Sequence, residues 1–328
     1  MLMDDRETRP DVDLSRKGDG SRAVGGPSTV HVLGSPARRF ALAGAIVTTA
    51  RPRQWAKNVL VFGAPATAGV LLDREPLVAA VAAFVAFCLV SSGVYFLNDV
   101  VDISSDLQHP TKRLRPVATG AIPRGLAIAI GSILIASGMA VGVVGAGAPL
   151  LGVLAGYIGL SFAYMFVLRD IALLDLAAIA GGFLLRAVAG GVATDVPLSM
   201  WFLMVAGFGS LFLAAGKRHA EFVQLGEERA RHRKSLSEYS ELYLRFIQYS
   251  ASTVAMTAYS LWAFEGAAGG SLWSGLSIIP FVLGILRYAL LLDKGRGAAP
   301  EEAVLTDPPL LVLGLSWVLL VVMGVYVQ

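Results

Sequence analysis

Charge is scarce in this chain. Of 328 residues only 16% are Asp, Glu, Lys or Arg, too few to clothe a water-soluble protein of this size. Cysteine is nearly absent: the single Cys88 excludes an intrachain disulfide and says nothing about redox compartment. Histidine occurs four times, and His109, His219 and His232 have no metal-ligand spacing, which excludes a zinc module. The chain also lacks a Gly-rich phosphate loop of the soluble nucleotide-binding type and any nucleic-acid-binding module, so no nucleic-acid partner is expected. Residues 1–36 are polar, with no apolar core and no cleavage pattern, and read as a disordered cytoplasmic tail rather than a signal peptide.

What fills the chain instead is hydrocarbon. Hydrophobic residues make up 55% of it and the mean hydropathy is +0.65, the composition of an all-α integral membrane protein. A spanning helix needs about 20 mostly apolar residues, and nine stretches qualify: 54–72, 77–97, 125–147, 149–168, 171–193, 197–216, 246–265, 272–292 and 308–327. Their short separators, such as "LDREP" and "GAGAP", predict antiparallel neighbours in one bundle, so residues 37–328 form a single membrane domain. Cations test this topology, because cytoplasmic loops carry the Lys and Arg. With the N-terminus inside, only Arg74 falls in an outer loop and only Arg186 lies deep in a span. Segment 40–50, "FALAGAIVTTA", is too short to span and is flanked by arginines, which predicts an amphipathic helix in the cytoplasmic interface.

Against this background "YFLNDVVDISSD" stands out, since three aspartates follow an uncharged run over 77–97. If the helix continues, Asn98, Asp102 and Asp106 recur at i, i+4 and i+8, with Asp99 three before Asp102, so all four crowd onto about one face. Carboxylates this close repel one another and call for a cation. Oxygen donors without His or Cys favour Mg²⁺ or Mn²⁺, and Mg²⁺ commonly completes its shell with phosphate oxygens. Read alone, the same acids also fit a solvated helix end. Lys112, Arg113 and Arg115 follow within ten residues, and carboxylates holding a metal beside such cations suit a diphosphate.

Together, Asn98-Asp99-x-x-Asp102-x-x-x-Asp106, His109-Pro110 and Lys112-Arg113-x-Arg115-Pro116 resemble the first signature of the UbiA superfamily of intramembrane prenyltransferases. The resemblance implies nine transmembrane helices around a lipid-accessible cavity that opens to the cytoplasm, in a multi-pass plasma-membrane protein. It also implies two acidic motifs that bind an isoprenyl diphosphate through Mg²⁺. At the second motif's place stands "AGKRHAEF", with Lys217, Arg218 and Glu221 where aspartates are usual. Cations there disfavour a second metal and attract a further phosphate. This variant, with "RPRQWAKNVLVF" at 51–62 and "LLRAVAGGVATDVPLS" at 184–199, resembles one actinobacterial branch whose members transfer ribose phosphate to decaprenyl phosphate for arabinan cell-wall precursors.

The branch implies 5-phosphoribosyl 1-diphosphate as donor, a polyprenyl phosphate as acceptor and a homo-oligomer, with a trimer as the candidate. On this reading Asn98, Asp99, Asp102 and Asp106 hold Mg²⁺, and Asp99, Asp102, Lys217 and Glu221 are the catalytic set. Lys57, Asn58, Lys112, Arg113, Arg115, Arg186, Lys217, Arg218, Glu221 and Tyr239 bind substrate. Arg186 is a costly charge inside a span and marks a site by default. Asp175, about 16 Å away along the same helix, is not its evident partner. The competing expectation is a conventional prenyltransferase of the superfamily, which joins an isoprenoid chain to an aromatic acceptor.

Overall fold

The computed structural model describes residues 36–225, 234–265, 271–295, 303–304 and 306–327, and among these residues regular structure is helical throughout, with no strand. The expected tail lies outside them, except for Pro36. Helix α1 (Pro36–Ala50) leads into an eleven-residue 3-10 helix (Pro52–Phe62) and the short α2 (Gly63–Thr67). The long helices follow: α3 (Arg74–Val101), with a short continuation α4 (Ile103–Leu107), α5 (Arg124–Ala146), α6 (Pro149–Phe166), α7 (Leu174–Thr194) and α8 (Met200–Leu225). After α9 (Lys234–Glu238) come α10 (Glu241–Glu265), α11 (Leu272–Asp293) and α12 (Pro308–Tyr326).

Local sequence accounts for the boundaries. Proline opens α6 and α12, where the missing N–H costs nothing, and Gly147 takes φ +84° just past α5. Helix α3, with 28 residues, is about 42 Å long, whereas a hydrocarbon core is about 30 Å thick. Its last turns therefore emerge from the apolar layer and carry Asn98 and Asp99 to the mouth. Helices α3 and α5 pack as antiparallel neighbours, as do α8 and α10, and α11 and α12. Helix α3 approaches α5 at glycine: a Cβ on Gly93 would stand 2.5 Å from the Gly131 carbonyl oxygen, so only the bare backbone fits.

Among the described residues seven helices are long and apolar enough to cross a membrane: α3, α5, α6, α7, α8, α11 and α12. Large apolar side chains such as Val144, Val312, Leu315 and Leu319 are exposed on them, which suits contact with lipid. Helix α10 coincides with the predicted span over 246–265, but its first turns carry Glu241, Arg245 and Gln248. The 54–72 stretch is not one continuous helix. The 3-10 run ends at Phe62, α2 lasts one turn, and Gly69 turns the chain with φ +79°, because Gly63, Pro65 and Gly69 interrupt any continuous helix there. Segment 40–50 is helical as expected, and Leu42, Ala45, Ile46 and Ala50 pack against Phe96, Val100 and Ile122.

Candidate active site

The acidic stretch remains helical past the end of α3, since the amide of Asp102 donates to the Asn98 carbonyl and that of Asp106 to the Asp102 carbonyl. The four polar residues fall within about 100° of the helix circumference, about one face as expected, but they take different partners. At 100° per residue Asp99 and Asp106, seven apart, align, while Asn98 and Asp102 form the neighbouring row. Asp99 and Asp106 turn toward the 111–116 loop and share Arg115, whose Nη1 lies 3.2 Å from Asp99 Oδ1 and 2.8 Å from Asp106 Oδ2. Arg51 Nη2 adds a contact of 2.5 Å to Asp99. A cleft of about 240 Å³ opens beside this cluster, lined by Thr48, Thr49 and Thr111 as well as the two arginines. Arg115 thus serves here as counter-ion to two buried aspartates, while Lys112 and Arg113 are exposed on the same loop.

The other row faces the turn between α6 and α7. Asn98 Nδ2 donates to Asp102 Oδ2 at 3.0 Å, and Arg169 Nη1 lies 2.7 Å from Asp102 Oδ1. Arg169 belongs to a 3-10 turn, Leu168–Asp170, between α6 and α7. Burial works against its charge, but the hydrogen bond it donates to Asp102 and the neighbouring carboxylates outweigh it, so its pKa is raised. Asp102, with a side chain 14% exposed, and Asn98 offer adjacent oxygen donors. Mg²⁺ needs only one or two protein carboxylates when phosphate oxygens and waters complete its octahedron, and this pair fits that role. Among the described residues no group of three His, Cys, Asp or Glu side chains is placed to hold a metal alone, so an ion held by Asn98 and Asp102 would need further oxygen donors from a ligand or water.

Second-motif residues gather on α8. Lys217 is exposed, whereas Arg218, one position on, is 1% exposed. Its guanidinium donates to Asp175 Oδ2 at 2.7 Å, to Glu221 Oε2 at 2.5 Å and to the Tyr164 hydroxyl at 2.9 Å. Tyr239 is also buried, donating to Asp175 Oδ1 at 2.5 Å and accepting from the Leu173 amide at 2.6 Å. Burial, reinforced by that bond to Asp175, raises the phenol's pKa and keeps it protonated. Tyr239 is therefore held in the interior by Asp175 and the Leu173 amide, and Glu221 is oriented by Arg218.

The two motifs are physically joined. Ser235 Oγ donates to the Arg169 carbonyl at 2.9 Å and lies 3.3 Å from Asp175 Oδ2. A continuous polar chain thus runs from Asp102 through Arg169, Ser235 and Asp175 to Arg218 and Glu221. Sequence reasoning missed Arg169, Tyr164 and Asp175. The one available signal was that Asp175 is a carboxylate in a span that also lacks an evident partner.

Arg186 and Asn58 stand apart from this chain. Arg186 Nε donates to Asn58 Oδ1 at 2.6 Å, Nη1 to the Gly182 carbonyl at 2.6 Å and Nη2 to the Tyr157 hydroxyl at 3.0 Å. Asn58 in turn donates to Cys88 Sγ at 3.2 Å. Both residues are buried, so as folded they meet each other rather than solvent. Lys57 is half-buried, hydrogen-bonds Gln54, and lies 5.9 Å from the centre of the Phe183 ring. His232 lies outside the described residues.

Comparison with known proteins fits this geometry. Residues 59–307 match the UbiA prenyltransferase family. A decaprenyl-phosphate phosphoribosyltransferase of Corynebacterium glutamicum is 42% identical over 293 residues, covering 88% of each chain. Its namesake in Mycolicibacterium smegmatis is 43% identical over 291 residues, 84% of this chain and 91% of that one. Among solved structures, a UbiA homolog from Archaeoglobus fulgidus bound to GPP and Mg²⁺ superposes with a TM-score of 0.65 at 15% identity, covering 85% of this chain and 98% of that one. A digeranylgeranylglyceryl phosphate synthase gives 0.61 at 16% identity, over 87% and 98%. Helical architecture, acidic mouth and sequence agree, and the chain belongs to the UbiA prenyltransferase family.

Proposed function

We propose that this protein transfers 5-phosphoribose from 5-phosphoribosyl 1-diphosphate to a polyprenyl phosphate of the decaprenyl type, releasing diphosphate, in the supply of arabinan cell-wall precursors. The observation that carries the reading is the identity, 42% and 43% over most of both chains, to curated relatives named decaprenyl-phosphate phosphoribosyltransferase. The geometry supports it. Lys217 and Arg218 stand where a prenyl-diphosphate site has its second acidic motif; Arg218 is neutralised by Asp175 and Glu221, which leaves the exposed Lys217 as the cation for a further phosphate, and the Asn98–Asp102 pair is kept.

In the reaction, the bond from the ribose anomeric carbon to the diphosphate oxygen breaks, and an oxygen of the acceptor phosphate forms the new bond to that carbon. The acceptor phosphate is ionised near neutral pH and no proton has to be removed, so the site needs no strong base. Bound Mg²⁺ supplies charge neutralisation for the leaving diphosphate. Asn98 and Asp102 orient it, with Asp99 and Asp106 behind them as a buried, Arg-compensated support. Arg169, and Lys112 and Arg113 from the flanking loop, face the charge that develops on the leaving group. Lys217 and Glu221, at the solvent edge of the second motif, hold the 5-phosphate and ribose hydroxyls, and Arg218 fixes Glu221.

We read α10 and the 3-10 segment with α2 as two further crossings, completing nine, with α1 in the cytoplasmic interface of the plasma membrane, the site facing the cytoplasm, and the chain in a homo-oligomer. The test is direct: purified protein, Mg²⁺, polyprenyl phosphate and 5-phosphoribosyl 1-diphosphate should yield a lipid-linked phosphoribose. No such product, together with transfer from a prenyl diphosphate to an aromatic acceptor, would sink the proposal.

A further inference from the structure

The segment Pro52–Phe62 is an unusually long 3-10 helix, for runs beyond three or four residues are uncommon and mark strain or function. With three residues per turn, positions three apart lie in one row. Trp55, Asn58 and Val61 form the row that docks into the bundle. Trp55 Nε1 donates to Ser92 Oγ at 3.0 Å, Asn58 bridges Cys88 and Arg186, and the Val61 carbonyl rests on Gly190, where any Cβ would overlap it. Arg186 and Gly190 are one turn apart on α7, and Cys88 and Ser92 one turn apart on α3, so two α-helical faces clamp the row and fix its period. In an ordinary α-helix, residues 54 and 57 would stand about 60° apart; here they line up, with Arg51 capping the start of the helix from the left-handed region.

That second row is Arg51, Gln54 and Lys57. Each is half-buried, whereas Arg53, Ala56, Val59 and Leu60 beside them are exposed. It starts at the acidic mouth, where Arg51 holds Asp99, and at about 2 Å per residue reaches Lys57 about 12 Å further on. There the surroundings call for an anion. Lys57 and Arg186 lie 5.9 Å from the same Phe183 ring, and Arg186 finds only neutral partners, with no carboxylate in ion-pair range among the described residues.

We propose that the Arg51–Gln54–Lys57 row is the acceptor subsite, with Gln54 and Lys57 binding the phosphate head of the polyprenyl lipid, and that Arg186 is a positioning residue which acts through Asn58 to hold the row in 3-10 register. The proposal rests on the polyprenyl phosphate acceptor of the preceding reading. A lipid is the occupant the geometry selects, since the exposed Val59 and Leu60 flank Lys57 and give the prenyl tail an apolar path that a water-soluble donor does not need.

Binding without donor or metal tests this separately from turnover. The probes are a fluorescent short-chain polyprenyl phosphate and its dephosphorylated alcohol, titrated into the full-length protein in nanodiscs of zwitterionic lipid. Wild type should bind the phosphate on the order of tenfold more tightly than the alcohol. Lys57→Gln should erase that preference, and Arg186→Lys, which keeps the charge but loses the fork that grips Asn58 and Tyr157, should reduce it. Binding of 5-phosphoribosyl 1-diphosphate with Mg²⁺ should be the same in Lys57→Gln as in wild type. An unchanged phosphate preference in Lys57→Gln, or a loss confined to the soluble donor, would overturn the assignment. Failure of the function itself would show instead as absent product from the wild type.

Discussion

Asp175→Ala is the sharpest test of the polar chain that joins the two motifs. The Asp175 carboxylate is fully buried and accepts from Arg218, Tyr239 and Ser235. Removing one partner of a buried ion pair costs about 3–5 kcal/mol, because the remaining charge stays desolvated. Glu221 and Tyr164 still contact Arg218, which argues for the lower end, about 3 kcal/mol. The orphaned Tyr239 hydroxyl adds about 1 kcal/mol or more. At about 2.1 cal/mol/K of unfolding entropy per residue over 328 residues, or about 1.5 °C per kcal/mol, the unfolding midpoint in detergent should fall about 6 °C. Asp175→Asn, which keeps an acceptor for Tyr239 but not the charge, should lose roughly half as much. A double-mutant cycle with Arg218→Met then separates pair from context: removing both partners should cost clearly less than the sum of the single changes. A shift below about 2 °C for Asp175→Ala, or strict additivity in the cycle, would refute the reasoning.

Asp102→Ala should abolish turnover while leaving the unfolding midpoint within a few degrees, since its carboxylate is partly open and its partners reach solvent; residual activity at saturating Mg²⁺ would remove Asp102 from the metal site. Chelation with EDTA should stop product formation reversibly without altering the helical circular dichroism, and turnover that survives chelation would end the metal reading. Gly93→Leu should prevent α3 from docking on α5, given the 2.5 Å approach to the Gly131 carbonyl, and a folded, monodisperse product would show that the helices have another way to pack. Lys217→Ala should weaken donor binding with little effect on stability, because the lysine is exposed; an unchanged donor affinity would reduce it to a membrane anchor.

Much of this molecule is local and therefore legible in the sequence. Six of the expected spans coincide with helices long and apolar enough to cross a membrane, from the 77–97 stretch inside α3 to the 308–327 stretch in α12, and the 197–216 stretch begins a seventh, α8. Hydropathy alone sets these, because backbone polar groups in a bilayer must be satisfied within each helix. The pairing of Asn98 with Asp102 is equally local, being one helical turn. The 54–72 stretch shows where that logic stops. Its composition suits a span, yet contacts with α3 and α7 impose a 3-10 period that no feature of the segment announces.

Partners across helices are likewise invisible to spacing. Asp175 and Arg186 sit on one helix, and their sequence distance rules each out for the other without saying whom they meet. Only the docking of α7 between α6, α8 and the 3-10 helix sends Asp175 to Arg218 and Arg186 to Asn58. Tertiary contacts likewise divide the three crowded acids, Asp99 and Asp106 sharing Arg115 while Asp102 meets Arg169 and Asn98. The sequence by itself determined that this chain crosses a membrane and presents carboxylates and cations at one mouth, because both follow from periodicity and transfer free energy. Which partner neutralises each charge was decided by tertiary structure alone, because a charge's partner is set by the element packed against it.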